Sequence, residues 1–167
     1  RVWLPNSWQC YTRTSPEWDE LAGRLTHPLP DSFGRSAPRD RGERLSMIAQ
    51  SWASNERQLL TLSIELHPGL VDAPLESLRG ESWWTGGRWV DTSGGLSIQR
   101  RESGERMLVA DLIYPGDAGE YVQSVTAVLK SEQGAYAVAV SGIEEEFWAT
   151  EGLLWEILDS FQPLDRE

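Results

Sequence analysis

The sequence predicts an α+β fold: a curled antiparallel sheet of about six strands covered by a C-terminal helix. Three observations predict it. First, three β-type runs close the chain in succession, Glu105–Tyr114, Glu120–Lys130 and Ala135–Ser141, separated by turn-forming stretches. Second, the last of these alternates strictly, with Tyr136, Val138 and Val140 on one side and Ala135, Ala137 and Ala139 on the other. Third, Phe147, Leu154, Ile157, Leu158 and Phe161 then recur at helical spacing as one apolar stripe.

From the start of the chain, Arg1–Arg13 carries Trp3, Trp8 and Tyr11 around a Pro5-Asn6 turn, the pattern of a strand entering the sheet after a turn. Pro16–Leu25 reads as a short helix, with Ser15 as its cap and Trp18, Leu21, Ala22 and Leu25 on one face. Thr26–Arg44 is irregular: Pro28, Pro30, Gly34, Pro38 and Gly42 punctuate it, and Arg35, Arg39, Arg41 and Arg44 gather in it. Loops this long inside a domain are uncommon unless functional or disordered.

Leu45–Ser54 and Gln58–His67 form a predicted hairpin. In the second strand Leu60, Leu62, Ile64 and Leu66 share one face, while Thr61, Ser63 and Glu65 take the other. Pro74–Trp84 resembles a short helix with Leu75 and Leu78 inward, stopped by Gly86-Gly87. Arg88–Thr92 and Leu96–Arg101 read as strands around Ser93-Gly94-Gly95. Glu105–Tyr114 is apolar on both parities, which predicts a central strand covered on both sides. Its one polar interruption, Asp111, calls for a partner, with Arg88, Arg100 or Arg101 as candidates. The alanine row of Ala135–Ser141 predicts that the helix approaches the sheet over that face. Acidic Glu144-Glu145-Glu146 suits the helix start, Trp148 and Trp155 widen its stripe, and Pro163 ends it. Gly152 inside the pattern marks either a weak point or close contact with the sheet.

At 167 residues the chain suits a single α+β domain, 1–167, with an N-terminal extension (1–25) and an Arg/Pro-rich loop (26–44). No internal repeat is visible, and no apolar run is long enough for a transmembrane helix. A formal charge of −11 disfavours nucleic acid and anionic membrane surfaces. It suits a basic protein partner reached by electrostatic steering.

Reactive groups are sparse. The single cysteine, Cys10, excludes an internal disulfide and reads as a buried or idle thiol. His27 and His67 each precede a proline, and with Cys10 they show no paired metal-site spacing. No Gly-x-Ser-x-Gly and no phosphate-binding Gly-rich loop occurs. The sequence therefore predicts no catalytic residue, no metal and no cofactor. Its unusual feature is nine tryptophans. Trp83, Trp84 and Trp89 cluster near a Gly-rich turn, and adjacent tryptophans do not readily share one buried face. Exposed aromatics serve as protein hot spots or as stacking platforms for sugars.

The stretch from Leu45 to Pro163 resembles the PsbP-like fold. The residues that carry the likeness are the strand AYAVAVSG, the acidic helix start and the ending Trp155-Glu156-Ile157-Leu158-Asp159-Ser160-Phe161. Upstream, the strand LLTLSIELH is followed by PLESLRGES and several antiparallel strands. The family's opening segment corresponds either to Leu29–Phe33 or to Val2–Trp8. The N-terminal extension and Arg-rich loop have no clear family counterpart. DcrB-like, LpqN-like and Eag-type chaperone proteins are of this class. The resemblance implies a scaffold that acts by binding proteins, with no catalytic residues to carry over.

The expectation is thus a non-catalytic bacterial protein-binding module, not an enzyme, of immunity-like or chaperone/adaptor-like and secretion-associated character. Its partner would be basic or apolar. The alternative is an envelope carbohydrate or small-ligand binding protein using exposed tryptophans. Trp83, Trp84, Trp89, Arg35, Arg39 and Arg41 are the predicted contact residues. The compartment, bacterial cytoplasm or cell envelope, stays open.

Overall fold

The computed structural model describes residues 1–26, 44–53, 57–80, 96–115 and 119–163. Seven strands form one antiparallel sheet: β1 (Trp8–Tyr11), β2 (Leu45–Trp52), β3 (Gln58–His67), β4 (Leu96–Arg100), β5 (Arg106–Pro115), β6 (Tyr121–Ser131) and β7 (Gly134–Ile143). Their order across the sheet is β1-β2-β3-β7-β6-β5-β4, so the sheet is open, with β1 and β4 at its edges. Among the described residues three α-helices accompany it: α1 (Trp18–Thr26), α2 (Glu144–Trp148) and α3 (Glu151–Ser160). The sequence predicted about six strands. The stretch assigned to an N-terminal extension contributes β1, because Trp8 reaches the core beside Ala49 and Leu60. Trp8 N donates to Pro5 O at 3.0 Å, which closes the turn that aims the strand.

β5 is not central, as its two apolar faces predicted, but second from an edge; β7 is the middle strand. Met107, Leu108, Val109 and Ala110 of β5 are nonetheless all buried, because the sheet is covered on both sides. On the front face, Leu60, Leu62, Ile64, Val109, Val125, Ala127, Val138 and Val140 meet Phe147, Leu154, Ile157, Leu158 and Phe161. Burying each of these helix side chains contributes roughly 1.5–3 kcal/mol.

The helix therefore lies over the large residues of β7, not over its alanines. The alanine face belongs to the back of the sheet. There Leu75 and Leu78 pack on Leu108, Ala110, Val128 and Ala135. The close approach that alanines permit is used by the segment around the 3-10 turns Pro68–Leu70 and Ser77–Gly80. Lys130 Nζ holds this segment down by donating to Leu70 O and, at 2.8 Å, to Val71 O; burial lowers its pKa. Arg106 donates to Glu76, which keeps that carboxyl below its usual range.

The other back-face patch is α1, whose Trp18 and Ala22 pack on Leu45 and Ile48. The helix starts two residues beyond the predicted Pro16. Ser15 does not cap it: the hydroxyl accepts from Thr12 N at 3.0 Å, closing a turn before the helix. Between the two patches runs a buried polar strip that includes Gln50, Ser63, Glu65 and Thr126.

The C-terminal apolar stripe is interrupted at Ala149-Thr150, not at Gly152. Thr150 Oγ1 donates to Phe147 O at 2.9 Å and to Glu146 O at 3.2 Å, offering the backbone a local alternative to continuous helix. Gly152 is exposed, and nothing lies within 4 Å of where its Cβ would be, so close contact with the sheet is not its role.

Arg101 fastens the far end of α3. Its side chain is 2% exposed. Nη2 donates to Phe161 O at 2.6 Å and to Asp159 O, and Nη1 to Glu105 Oε2 at 2.7 Å. A guanidinium thus satisfies helix-terminal carbonyls that have no intrahelical partner. The β4–β5 turn that carries it is closed by Arg101 N to Glu105 O at 2.9 Å, with Gly104 at φ +88°.

Three stability outcomes follow, each measurable by chemical denaturation. Gly152→Ala should stabilise by about 0.5–1 kcal/mol, since the added methyl meets nothing. Gly134→Ala should destabilise by 2 kcal/mol or more on the order expected for strained, overpacked sites: the residue sits at φ +141°, and a Cβ would lie 2.8 Å from Pro68 Cα. Arg101→Met should cost about 3 kcal/mol, because it leaves buried carbonyls unpaired.

Candidate functional site

The predicted contact residues Trp83, Trp84, Trp89, Arg35, Arg39 and Arg41 lie outside the described residues, as do His27 and Arg88. Arg44, the last arginine of that loop, is described. Its Nη1 is 3.2 Å from His67 Nδ1, and His67 Nε2 is 3.6 Å from Glu65 Oε2. His67 and Glu65 are both buried, so this trio ties the end of β3 together on the back face.

Cys10 is exposed on the edge strand, not buried. Partial burial nevertheless pushes its thiol above the ordinary range. Its register partners, Ala49 and then Leu62, place it on the front face. His67 is on the back, five residues further along β3, roughly 17 Å away along the strand. The two do not form a dyad. Among the described residues, no group of three His, Cys, Asp or Glu side chains is placed to hold a metal ion.

What the fold does build is a groove on the front face, between α3 and the β4 flank of the sheet. It encloses about 180 Å³ and is lined by Ser97, Gln99, Val109, Asp111, Trp148, Glu151 and Trp155, among others. Trp148 is 49% exposed, and Trp155 is half-buried. Glu151 and Trp155, four residues apart, share one side of α3, and Trp148 at the end of α2 lines the same groove. Phe147 alone of the adjacent pair enters the core, edge-on to the Trp148 ring at 6.2 Å.

Asp111 forms part of the groove wall, and its partner is not an arginine. Gln123, 1% exposed on the neighbouring strand, donates Nε2 to Asp111 Oδ1. The register explains the failed expectation: Arg100 pairs across from Arg106, five positions from Asp111. Arg100 donates instead to Gly104 O at 2.9 Å, and Arg101 is taken by the helix end. The Gln123 amide holds Asp111 by one end only. Its Oε1 is buried with no hydrogen-bond partner among the described residues.

Sequence reasoning placed Trp148 and Trp155 on the margin of the apolar stripe and did not single them out as a binding surface. The available signal was Glu151 between them. A carboxylate at that spacing keeps one flank of the helix wet.

No protein-family model matches the chain, and no curated protein is similar to it at a significant level. Among solved structures, a Pseudomonas aeruginosa protein of unknown function, PA94, matches 98% of this chain and 88% of its own length. The identity is 9% and the TM-score 0.46, a likeness too distant to carry functional weight. No helix among the described residues is long and apolar enough to cross a membrane.

The groove tryptophans are peripheral to the core. Trp148→Ala should therefore cost only about 0.5–1.5 kcal/mol, the scale of its edge contact with Phe147, whereas Leu154→Ala, fully inside, should cost about 2–5 kcal/mol. Denaturation of the two variants side by side checks the assignment.

Proposed function

We propose that this chain is a non-catalytic module that binds a protein partner, in an immunity-like or chaperone/adaptor-like role associated with secretion. The observation that carries the reading is the groove: a half-exposed tryptophan beside two carboxylates, on a body of formal charge −11. Exposed aromatic side chains supply binding area at low entropic cost, and one-signed charge steers an oppositely charged partner. The partner that fits is basic. The PsbP-like resemblance of Leu45–Pro163 belongs to the same proposal, since proteins of that class act mainly by binding other proteins.

A second reading, an envelope carbohydrate or small-ligand binder, is favoured by Ser97, Gln99 and Asp111 beside the Trp148 ring, a combination that suits sugar stacking. The groove's 180 Å³ is below the roughly 300–1,000 Å³ of most small-molecule sites, which weighs toward the first.

The test is affinity capture from extract of the native host, with wild type and Trp148→Ala in parallel. The expected result is a protein retained at low salt, released at high salt, and held at least about fivefold less by the variant. A protein held equally by both, or none held at all, defeats the reading. Tryptophan fluorescence shifting on added glycans with no protein retained would favour the second.

A further inference from the structure

Resting on that protein-binding reading, we propose that the groove is a cation pocket: it takes one arginine side chain of the partner, stacked on Trp148 and paired with Asp111 and Glu151. Three independent features of the site lead there.

The first is charge without a counter-charge. Asp111 and Glu151 both line the groove. The described cations around it are committed elsewhere: Arg100 to Gly104 O, Arg101 to the end of α3, Arg106 to Glu76, Lys130 to the Leu70–Val71 turn and Arg57 to Glu146. No described arginine or lysine pairs with either groove carboxylate.

The second is the arrangement of acceptors. Gln123 occupies Asp111 Oδ1 with an N–H, fixing the carboxylate plane and leaving Oδ2 as an acceptor. Gln123 itself is buried and does not line the groove, so its part is to hold Asp111 from within the sheet. A guanidinium brings five donors in a planar fork and no acceptor, so it complements the two groove carboxylates, Asp111 and Glu151.

The third is shape. A Trp148 face that is half-exposed offers the ring quadrupole to a cation. The groove volume of 180 Å³ admits a single long side chain and not a folded element. Arginine exceeds lysine here because its plane stacks on an indole while its edge reaches a carboxylate.

The experiment titrates intact protein with a hexa-arginine peptide and its hexa-citrulline counterpart, which keeps the shape and removes the charge. Binding is read from indole N–H shifts by NMR. Wild type should bind the arginine peptide at least about tenfold more tightly than the citrulline one, the scale of a charge-assisted hydrogen bond. Asp111→Asn, which keeps the acceptor for Gln123, should lose a similar factor, and Trp148→Ala should lose binding as well. Glu132→Gln, an exposed acid on the distant β6–β7 turn, should bind as wild type does.

Equal affinity for both peptides overturns the pocket. So does a Glu132→Gln loss as large as that of Asp111→Asn, because binding would then be diffuse attraction to an acidic surface. In either case the capture experiment still judges the parent reading: a host protein lost with Trp148→Ala upholds protein binding without a cation pocket. Failure of that capture removes both.

Discussion

Docking of the C-terminal helix onto the Val138–Val140 stripe of the central strand is the contact from which the rest of the molecule follows. The sheet is seven strands wide, with neighbours about 4.8 Å apart, and a helix is only about 10 Å across. One helix cannot roof such a sheet. It settles over β3, β7 and β6, where Leu62, Val138, Val140 and Val125 offer the deepest apolar surface. Arg101 then pins its last turn to the β4–β5 hairpin through buried hydrogen bonds. The N-terminal arm closes the same end: Gln162 N donates to Arg1 O at 2.7 Å and Trp3 N to Ser160 Oγ at 2.9 Å.

The groove is the geometric remainder of that docking. Pinned at one end and centred on the middle strands, the helix leaves the front of β4 and β5 only partly covered. Ser97 and Gln99 are exposed there, while Leu96 and Ile98, one residue over, pack into the back-face cluster. Asp111 can keep a carboxylate next to the buried Met107–Ala110 stretch because it lies at this margin. Gln123, which cannot escape to solvent, supplies it with a donor.

The back face solves the same problem differently. Two separate covers, α1 over Leu45 and Ile48, and the Leu75–Leu78 segment over Leu108 and Val128, leave a polar strip between them. Small side chains line it in register, Ser63 beside Ala139 and Ala139 beside Thr126. Buried polar groups are tolerated when hydrogen-bonded, and Gln50 Nε2 donates to Gln58 Oε1 at 3.1 Å within the strip. The face that carries the alanines is therefore not an interface for the C-terminal helix but a close-packed floor.

Much of this was legible in the residues. Gln58–His67 forms a strand with the predicted bounds, and Leu154, Ile157, Leu158 and Phe161 are buried as their spacing required. Period-two and helical periodicity are local properties, written within ten residues of chain, so the sequence by itself determined the described strands from β2 to β7 and which C-terminal stripe is apolar. It did not determine which face of β7 receives the helix, where β1 sits in the strand order, or that Arg101 serves a helix end and Gln123 serves Asp111. Those outcomes depend on strand order and register between residues far apart in the chain. Only the tertiary structure decided them, and with them that Phe147 is core while its neighbour Trp148 stands open beside two carboxylates.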